Sequence, residues 1–535
     1  MPDTLDVNPP STEAPPFGAP ARETDCDVLV VGGGINGAGV ARDLAGRGWR
    51  VVLCEQDDLA AHTSSASTKL IHGGLRYLEH REFGLVRRAL QEREVLLRSA
   101  PHIIRPMRFV MPHDPSLRPA WLVRLGLFLY DHLASRSLLE GSRGLRLPDH
   151  PAGAPLKPEF RQGFVYSDGW VDDARLVVLN AVDAGIRGAQ VHTRTRVASA
   201  RRSAQDWEAV LQPQDGRPFT LRARALVNAT GPWVESFLRD EASSPAGAPL
   251  AQRSLRLVKG SHIVVARCFE HDHAYLFQSP DKRVVFAIPY EDRFTLIGTT
   301  DVEFHGDPGS VRIDAAETAY LCEQASRYFR VPVQQRDVIW SYSGVRPLLE
   351  DAAVDPSAVT RDYLLDGDAN GAPLLTVWGG KMTTARKLAE EAASEVGRML
   401  GDARAGWTAG AQLPGGDFSG WIGKLQRPDT DFERMVAAVR RRYGWLAPAA
   451  ARRLTHAYGS RVDRVLQASA RAMGAEVAPG LTESELHYLC REEWACDADD
   501  VLWRRSKLGL HYTPLERQQV ADWMAANPAE WREAA

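Results

Sequence analysis

From Asp27 the chain runs through Val28, Leu29, Val30 and Val31 and halts at Gly32. Apolar residues then return at helical spacing, from Val40 and Leu44 to Trp49, and a second β-branched run, Val51-Val52-Leu53, ends at Glu55. The pattern predicts strand, helix and strand in succession, the βαβ unit of a parallel sheet. An amphipathic helix follows over about 82–99, with Leu85, Ala89, Val95 and Leu96 inward. Strand-like runs recur at 164–166, 190–197, 225–228, 261–265, 283–288 and 294–298, then a strand at 374–378, a glycine turn, and a helix over 383–400. Beyond 431 the period is helical only: Met435, Val436 and Val439, then Val462, Val465, Leu466 and Met473, then 486–489.

This organisation predicts an α/β chain with a Rossmann-like dinucleotide domain interleaved with a sheet-rich substrate domain, plus an all-α C-terminal domain. The expected boundaries are a tail at 1–24, an oxidoreductase region at 25–412, a linker at 413–429 and helices at 430–535. Within the oxidoreductase region, cofactor segments are expected at about 25–105, 160–235 and 370–400, and substrate segments at about 106–159 and 236–369.

The turn after the first strand carries Gly32, Gly34 and Gly37 as G-x-G-x-x-G. Gly32 makes the tight turn, Gly34 beside Ile35 and Asn36 admits a pyrophosphate to the backbone, and Gly37 lets helix and strand pack closely. The helix N-terminus offers its unpaired N–H groups to the phosphates. Glu55 lies 18 residues past Gly37, near the offset of about 20 at which an acid holds ribose hydroxyls. Ser64, Ser65, Ser67 and Thr68 follow the second strand's carboxyl end, where ligands bind in such sheets, and are assigned to the cofactor. His72, before Gly73 and Gly74, either touches the cofactor or caps a turn.

Composition narrows the class. The 535 residues are 44% hydrophobic and 25% charged, as in a globular protein, and the net charge of −3 argues against nucleic acid as a partner. The six cysteines show no C-x-x-C pair and read as separate reduced thiols, with no metal site. Residues 1–24 hold six prolines and read as a disordered tail without a secretory signal. No window reaches the ~18 apolar residues of a spanning helix. A cytoplasmic protein, or one peripheral on the inner face of the cytoplasmic membrane, is expected. Trp121 to Tyr130, WLVRLGLFLY with Arg118, Arg124 and Arg136 nearby, suits either a core helix or one lying in a bilayer interface.

Two later segments favour FAD over NAD. Ala229-Thr230-Gly231-Pro232 ends an apolar strand, so Gly231 gives a second close backbone approach, and Gly379-Gly380-Lys381 aims a helix N-terminus, with Met382 and Thr383, beyond its strand. That positive end and Lys381 suit negative charge developing on a reduced flavin. Val197 is counted with the cofactor contacts.

The runs SSASTKLIHGGLRYLE from Ser64, YSDGWVDDARL from Tyr166, KGSHIVV from Lys259, IGTTDVE from Ile297, YSGVRPL from Tyr342, TRDY from Thr360 and WGGKMTTARKLAE from Trp378 resemble, in order and spacing, the FAD-dependent glycerol-3-phosphate dehydrogenases, relatives of the D-amino-acid oxidase group. The C-terminal EWACDADDVLWRRSKLGL from Glu493 is similar to the same enzymes. The resemblance implies oxidation of glycerol 3-phosphate by FAD, electrons passing to a membrane quinone, an anionic membrane surface as docking partner, and leaves room for a homodimer. It implies Arg76, Tyr77, Arg346, Arg361 and Lys381 as substrate contacts; a phosphate dianion suits forked, permanently charged donors. His262 is the first candidate for the base, with Arg346 or Lys381 assisting the alkoxide. Asp301 is expected to end a strand, Asp172, Asp173 and Arg175 to form an internal ion-pair network, and Arg504, Arg505 and Lys507 to lie on a solvated helical face. An oxygen-using oxidase and a non-enzymatic flavin sensor are the alternatives.

Overall fold

The computed structural model describes residues 26–79, 81–244, 250, 253–349 and 362–528; the 1–24 tail and Arg361 lie outside them. The expected βαβ unit is β1 (Cys26–Val31), α1 (Ile35–Gly46) and β2 (Val51–Cys54). Its strands are parallel, with Val30 opposite Leu53. The strand Phe219–Asn228 lies parallel on the other side of β1, Leu374–Trp378 lies parallel beyond it, and Gln190–His192 flanks β2. Both faces of this sheet are covered, which is why its strands are continuously apolar. On one face Val40 and Leu44 of α1 pack with Val177 and Val178 of the helix Asp173–Ile186 and with Leu388 and Val396 of the helix Ala385–Met399. On the other, Leu29, Val52 and Leu226 meet Trp207 and Phe237. The five carboxyl ends therefore open on one side, and that side holds the cofactor residues.

A second sheet carries most of the segments expected on the substrate side. Leu255–Ala266 pairs antiparallel with both Phe294–Gly298 and Val338–Leu349, which sets His262 opposite Gly298 on one flank and Tyr342 on the other. Gln162–Val171 joins this sheet through Ile104–Pro112, so residues 162–171, expected with the cofactor domain, form the substrate sheet, and the crossing comes at the helix Asp173–Ile186. Asp172 caps that helix by accepting the Arg175 N–H.

The C-terminal part departs from the sequence reading in two places. Residues 462–473 are two short 3-10 turns, Gly459–Arg464 and Ala470–Met473, rather than one helix. A two-stranded hairpin, Glu476–Ala478 with Leu481–Thr482, interrupts the helices. The segment 413–429 packs Leu413 and Phe418 into apolar cores.

Arg504, Arg505 and Lys507 are not solvated. Arg505 is fully buried, its guanidinium forked onto Asp58 at 2.5 and 2.7 Å, and Arg504 shares the same carboxylate. Lys507 is buried beneath the Trp503 carbonyl. Arg175 reaches Glu493, both buried, and donates to the Ala457 carbonyl at 2.8 Å. Instead of one network among themselves, Arg175 pairs with Glu493, Asp172 with Lys507 at 3.8 Å and Asp173 with Lys69, and the first two pairs tie the helix Asp173–Ile186 to the C-terminal part.

Candidate active site

Two cavities of ≈ 370 Å³ each meet at the carboxyl ends of the parallel strands. They share Ile35, Thr63, Ser64, Pro347, Gly379 and Gly380, so they form one trough. The first arm is lined by Gly32, Gly34, Asn36, Glu55, Val197 and Gly231. The second is lined by Ser67, Thr68, His72, Gly74, Met382 and Thr383, and by the substrate candidates Arg76, Tyr77, His262, Arg346 and Lys381.

The trough fits an extended dinucleotide. Gly32 has φ +108°, and a Cβ there would lie 2.6 Å from the Ala229 carbonyl oxygen. A Cβ on Gly37 would lie 1.8 Å from the Gly32 oxygen, so Gly37 serves packing and lines neither arm. The Glu55 carboxylate accepts the Gly33 N–H at 2.6 Å and the Asp57 N–H at 2.9 Å. Burial raises its pKa against these two bonds, and each oxygen keeps a lone pair for a ribose hydroxyl. Asn36 donates to the Gly379 carbonyl at 3.0 Å while its Oδ1 is buried without a partner among the described residues. An orphaned acceptor beside the trough is what a missing donor leaves behind. Ser64 Oγ accepts the Ile35 N–H at 3.0 Å and fixes the loop on the start of α1.

Other expected cofactor contacts turn elsewhere. The Ser65 hydroxyl donates to the His62 carbonyl and faces a neighbouring cavity. Ser67 lines the second arm but donates to Asp173 at 2.7 Å. Gly73 lines neither arm; its N–H donates to the Tyr130 hydroxyl at 2.7 Å, and Tyr130 donates to Asp168. The His72 N–H donates to Thr383 Oγ1 at 3.1 Å, which ties the two glycine turns together.

In the second arm, His262 is 2% exposed, stacks on Tyr342 at 4.8 Å, and lies 2.9 Å through Nε2 from Thr68 Oγ1. Burial, then the charges of Lys69 and Arg346, holds its pKa well below 6.5, so it is a neutral imidazole. Arg346 is paired with Asp301 at 3.2 Å and reaches Thr299 Oγ1 at 3.3 Å. Asp301 ends no strand: it lies between the strands Phe294–Gly298 and Val302–Glu303. Lys381 Nζ sits 3.9 Å above the Tyr77 ring. Sequence reasoning missed Lys69, a buried cation on Asp173 at 2.8 Å, and Arg118, Lys282 and Arg283, which line the same arm.

Buried neutral histidines make stability fall with acid. The folded pKa values of His262, His102, His192 and His456 are all lowered, chiefly by burial. Above pH 6.5 neither state takes the proton. Below it the unfolded chain does and the folded chain does not, so stability drops by up to about 1.4 kcal/mol per pH unit per histidine. The thermal midpoint is expected to fall between pH 6.5 and 5, and His102→Gln, outside the trough, to make that fall shallower.

A glycine-built trough that ends among Arg76, Arg346, Lys381 and a buried histidine fits a dinucleotide-dependent oxidoreductase. A family model described as FAD dependent oxidoreductase matches residues 27–386, and one described as the C-terminal domain of alpha-glycerophosphate oxidase matches 407–534. The chain belongs to the FAD dependent oxidoreductase family. It is 52% identical over 504 residues to a glycerol-3-phosphate dehydrogenase of Pseudomonas aeruginosa, covering 93% of this chain and 94% of the relative. It is 48% identical over 507 residues to a D-erythritol 1-phosphate dehydrogenase of Brucella abortus, covering 94% and 98%. Among solved structures, the glycerol-3-phosphate dehydrogenase from Bacillus halodurans complexed with FAD superposes with a TM-score of 0.74 at 27% identity, over 95% of this chain and 92% of that one.

Proposed function

We propose that this chain oxidises sn-glycerol 3-phosphate to dihydroxyacetone phosphate and passes the electrons to a membrane quinone. The observation that carries the reading is the cationic cup at one end of the trough, with Arg76, Arg346 and Lys381 around the neutral His262. FAD, when bound, supplies the acceptor for the hydride leaving the carbinol carbon. Arg346 and Lys381 bind the phosphate dianion and orient the carbinol against the base. His262 takes the hydroxyl proton, which a neutral imidazole can do and an imidazolium cannot. Tyr77 fixes the Lys381 ammonium over its ring.

The substrate reading is tested by dye-linked rates with glycerol 3-phosphate, unphosphorylated glycerol and D-erythritol 1-phosphate. Glycerol is expected to lose roughly 10³-fold in kcat/KM, because it leaves the cup's cations uncompensated. Equal use of glycerol would reject the phosphate role. The Brucella relative favours a second reading, a four-carbon polyol phosphate, and faster turnover of that substrate would establish it.

For the membrane, the support is the helix Ala120–His132. Its Leu127 and Tyr130 are buried, while Trp121 is 68% exposed, Phe128 49%, Leu125 46% and Leu122 44%. A large apolar stripe beside Arg118, Arg124 and Arg136 is the chemistry of an interfacial helix on an anionic bilayer. No helix among the described residues is long and apolar enough to cross a membrane. Leu125→Glu with Phe128→Glu is expected to abolish binding to vesicles containing anionic lipid while dye-linked activity persists. Vesicle binding at the wild-type level would reject the stripe.

A further inference from the structure

A neutral imidazole accepts a proton only through a ring nitrogen with an open lone pair that the proton can reach. Nδ1 of His262 is buried without a partner among the described residues, and the residue as a whole is 2% exposed. Nε2 is occupied by Thr68 Oγ1 at 2.9 Å. Thr68 is half-buried and lines the same arm of the trough as Arg346 and Lys381. The route from the substrate to the base therefore runs through the threonine hydroxyl.

We propose that Thr68 is a catalytic residue that relays the carbinol proton to His262. The substrate O–H breaks and a new Oγ1–H forms on Thr68, while the threonine's own O–H breaks and its proton joins Nε2. The electron pair of the carbinol C–H bond leaves with its hydrogen as the hydride that the oxidation already requires, and FAD is the oxidant. The proton count closes with an imidazolium, which returns its proton along the same path once product has left. The inference rests on the proposed oxidation and adds a residue to it.

The surroundings hold this pair in place. Ser67 Oγ donates to Asp173 at 2.7 Å and Lys69 Nζ binds the same carboxylate at 2.8 Å, so both neighbours of Thr68 are anchored to one buried acid. The imidazole is stacked on Tyr342, whose hydroxyl donates to the Ser67 carbonyl at 2.8 Å. Gly298 opposite leaves the ring its room: a Cβ there would come within 2.0 Å of the His262 Cδ2. A β-branched threonine has few χ1 choices, so its hydroxyl stays aimed at Nε2. For the relay to work Thr68 must donate, which puts the ring proton on Nδ1.

The test is anaerobic stopped-flow reduction by glycerol 3-phosphate, with FAD content measured on every protein. Thr68→Val, which keeps shape and loses the hydroxyl, is expected to slow reduction by roughly 10²-fold with FAD retained, and Thr68→Ser to stay within about fivefold of the wild type. Because the two groups act in one chain, Thr68→Val with His262→Asn should be no slower than the slower single variant. A second readout needs no turnover: ¹⁵N spectra of histidine-labelled, FAD-loaded wild type should show Nε2 of His262 unprotonated, the signal being identified by its loss in His262→Asn. Thr68→Val reduced within threefold of the wild-type rate, penalties that multiply in the double variant, or a protonated Nε2 would each overturn the relay while leaving the oxidation standing. A wild type that glycerol 3-phosphate cannot reduce removes both.

Discussion

Arg346→Met is expected to lower kcat/KM for glycerol 3-phosphate by about 10²- to 10⁴-fold. The guanidinium lines the same arm as His262 and Lys381 and is held there by Asp301 at 3.2 Å and by the Thr300 carbonyl at 3.3 Å. A charge-assisted hydrogen bond contributes about 1.5–3 kcal/mol, and a forked pair roughly doubles that. Steady-state kinetics also separates its two assigned roles. A rise in KM with kcat kept marks a phosphate contact, whereas a fall in kcat marks stabilisation of the alkoxide. Arg346→Lys keeps the charge and loses the fork, and is expected to recover only part of the loss. A kcat/KM for Arg346→Met within threefold of the wild type would remove Arg346 from the site.

Asp58→Asn is expected to cost about 3–5 kcal/mol of stability and to weaken FAD retention. Its carboxylate is the buried partner of Arg505, which has no solvent exposure, and of Arg504. Removing one member leaves the other charge buried and uncompensated. The same loop carries Glu55 and Ala60, which line the first arm of the trough, so loosening the C-terminal domain loosens that arm. Differential scanning calorimetry with FAD quantified on each sample measures both effects. An unchanged midpoint with full FAD would show that the domain contact is not held by this pair.

The parts of the fold legible in the sequence are those whose cause is local. The change from an unbroken apolar run to a 3.6-residue period and back marks β1, α1 and β2, and three glycines with distinct steric duties mark the turn between them. Burial decided by distant partners was not legible. Lys69 reads as a surface lysine until Asp173 is brought beneath it, and Arg505 reads as solvated because Asp58 lies 447 residues away. Apolar residues at 462, 465, 466 and 473 bury themselves equally well in two 3-10 turns as in one helix, so their spacing did not separate the two. At the site, motif order brought His262, Arg346, Lys381, Arg76 and Tyr77 to attention, and the structure lines one arm with all five. Which nitrogen of His262 is reachable depends on Thr68, 194 residues earlier, and no spacing rule carries that.

The most direct measurement is anaerobic addition of glycerol 3-phosphate to the purified, FAD-loaded protein while the visible flavin band is followed. A stoichiometric, rapid loss of the yellow colour is the expected result, with unphosphorylated glycerol leaving it unchanged at the same concentration. A protein full of FAD whose colour persists under saturating glycerol 3-phosphate would contradict the account.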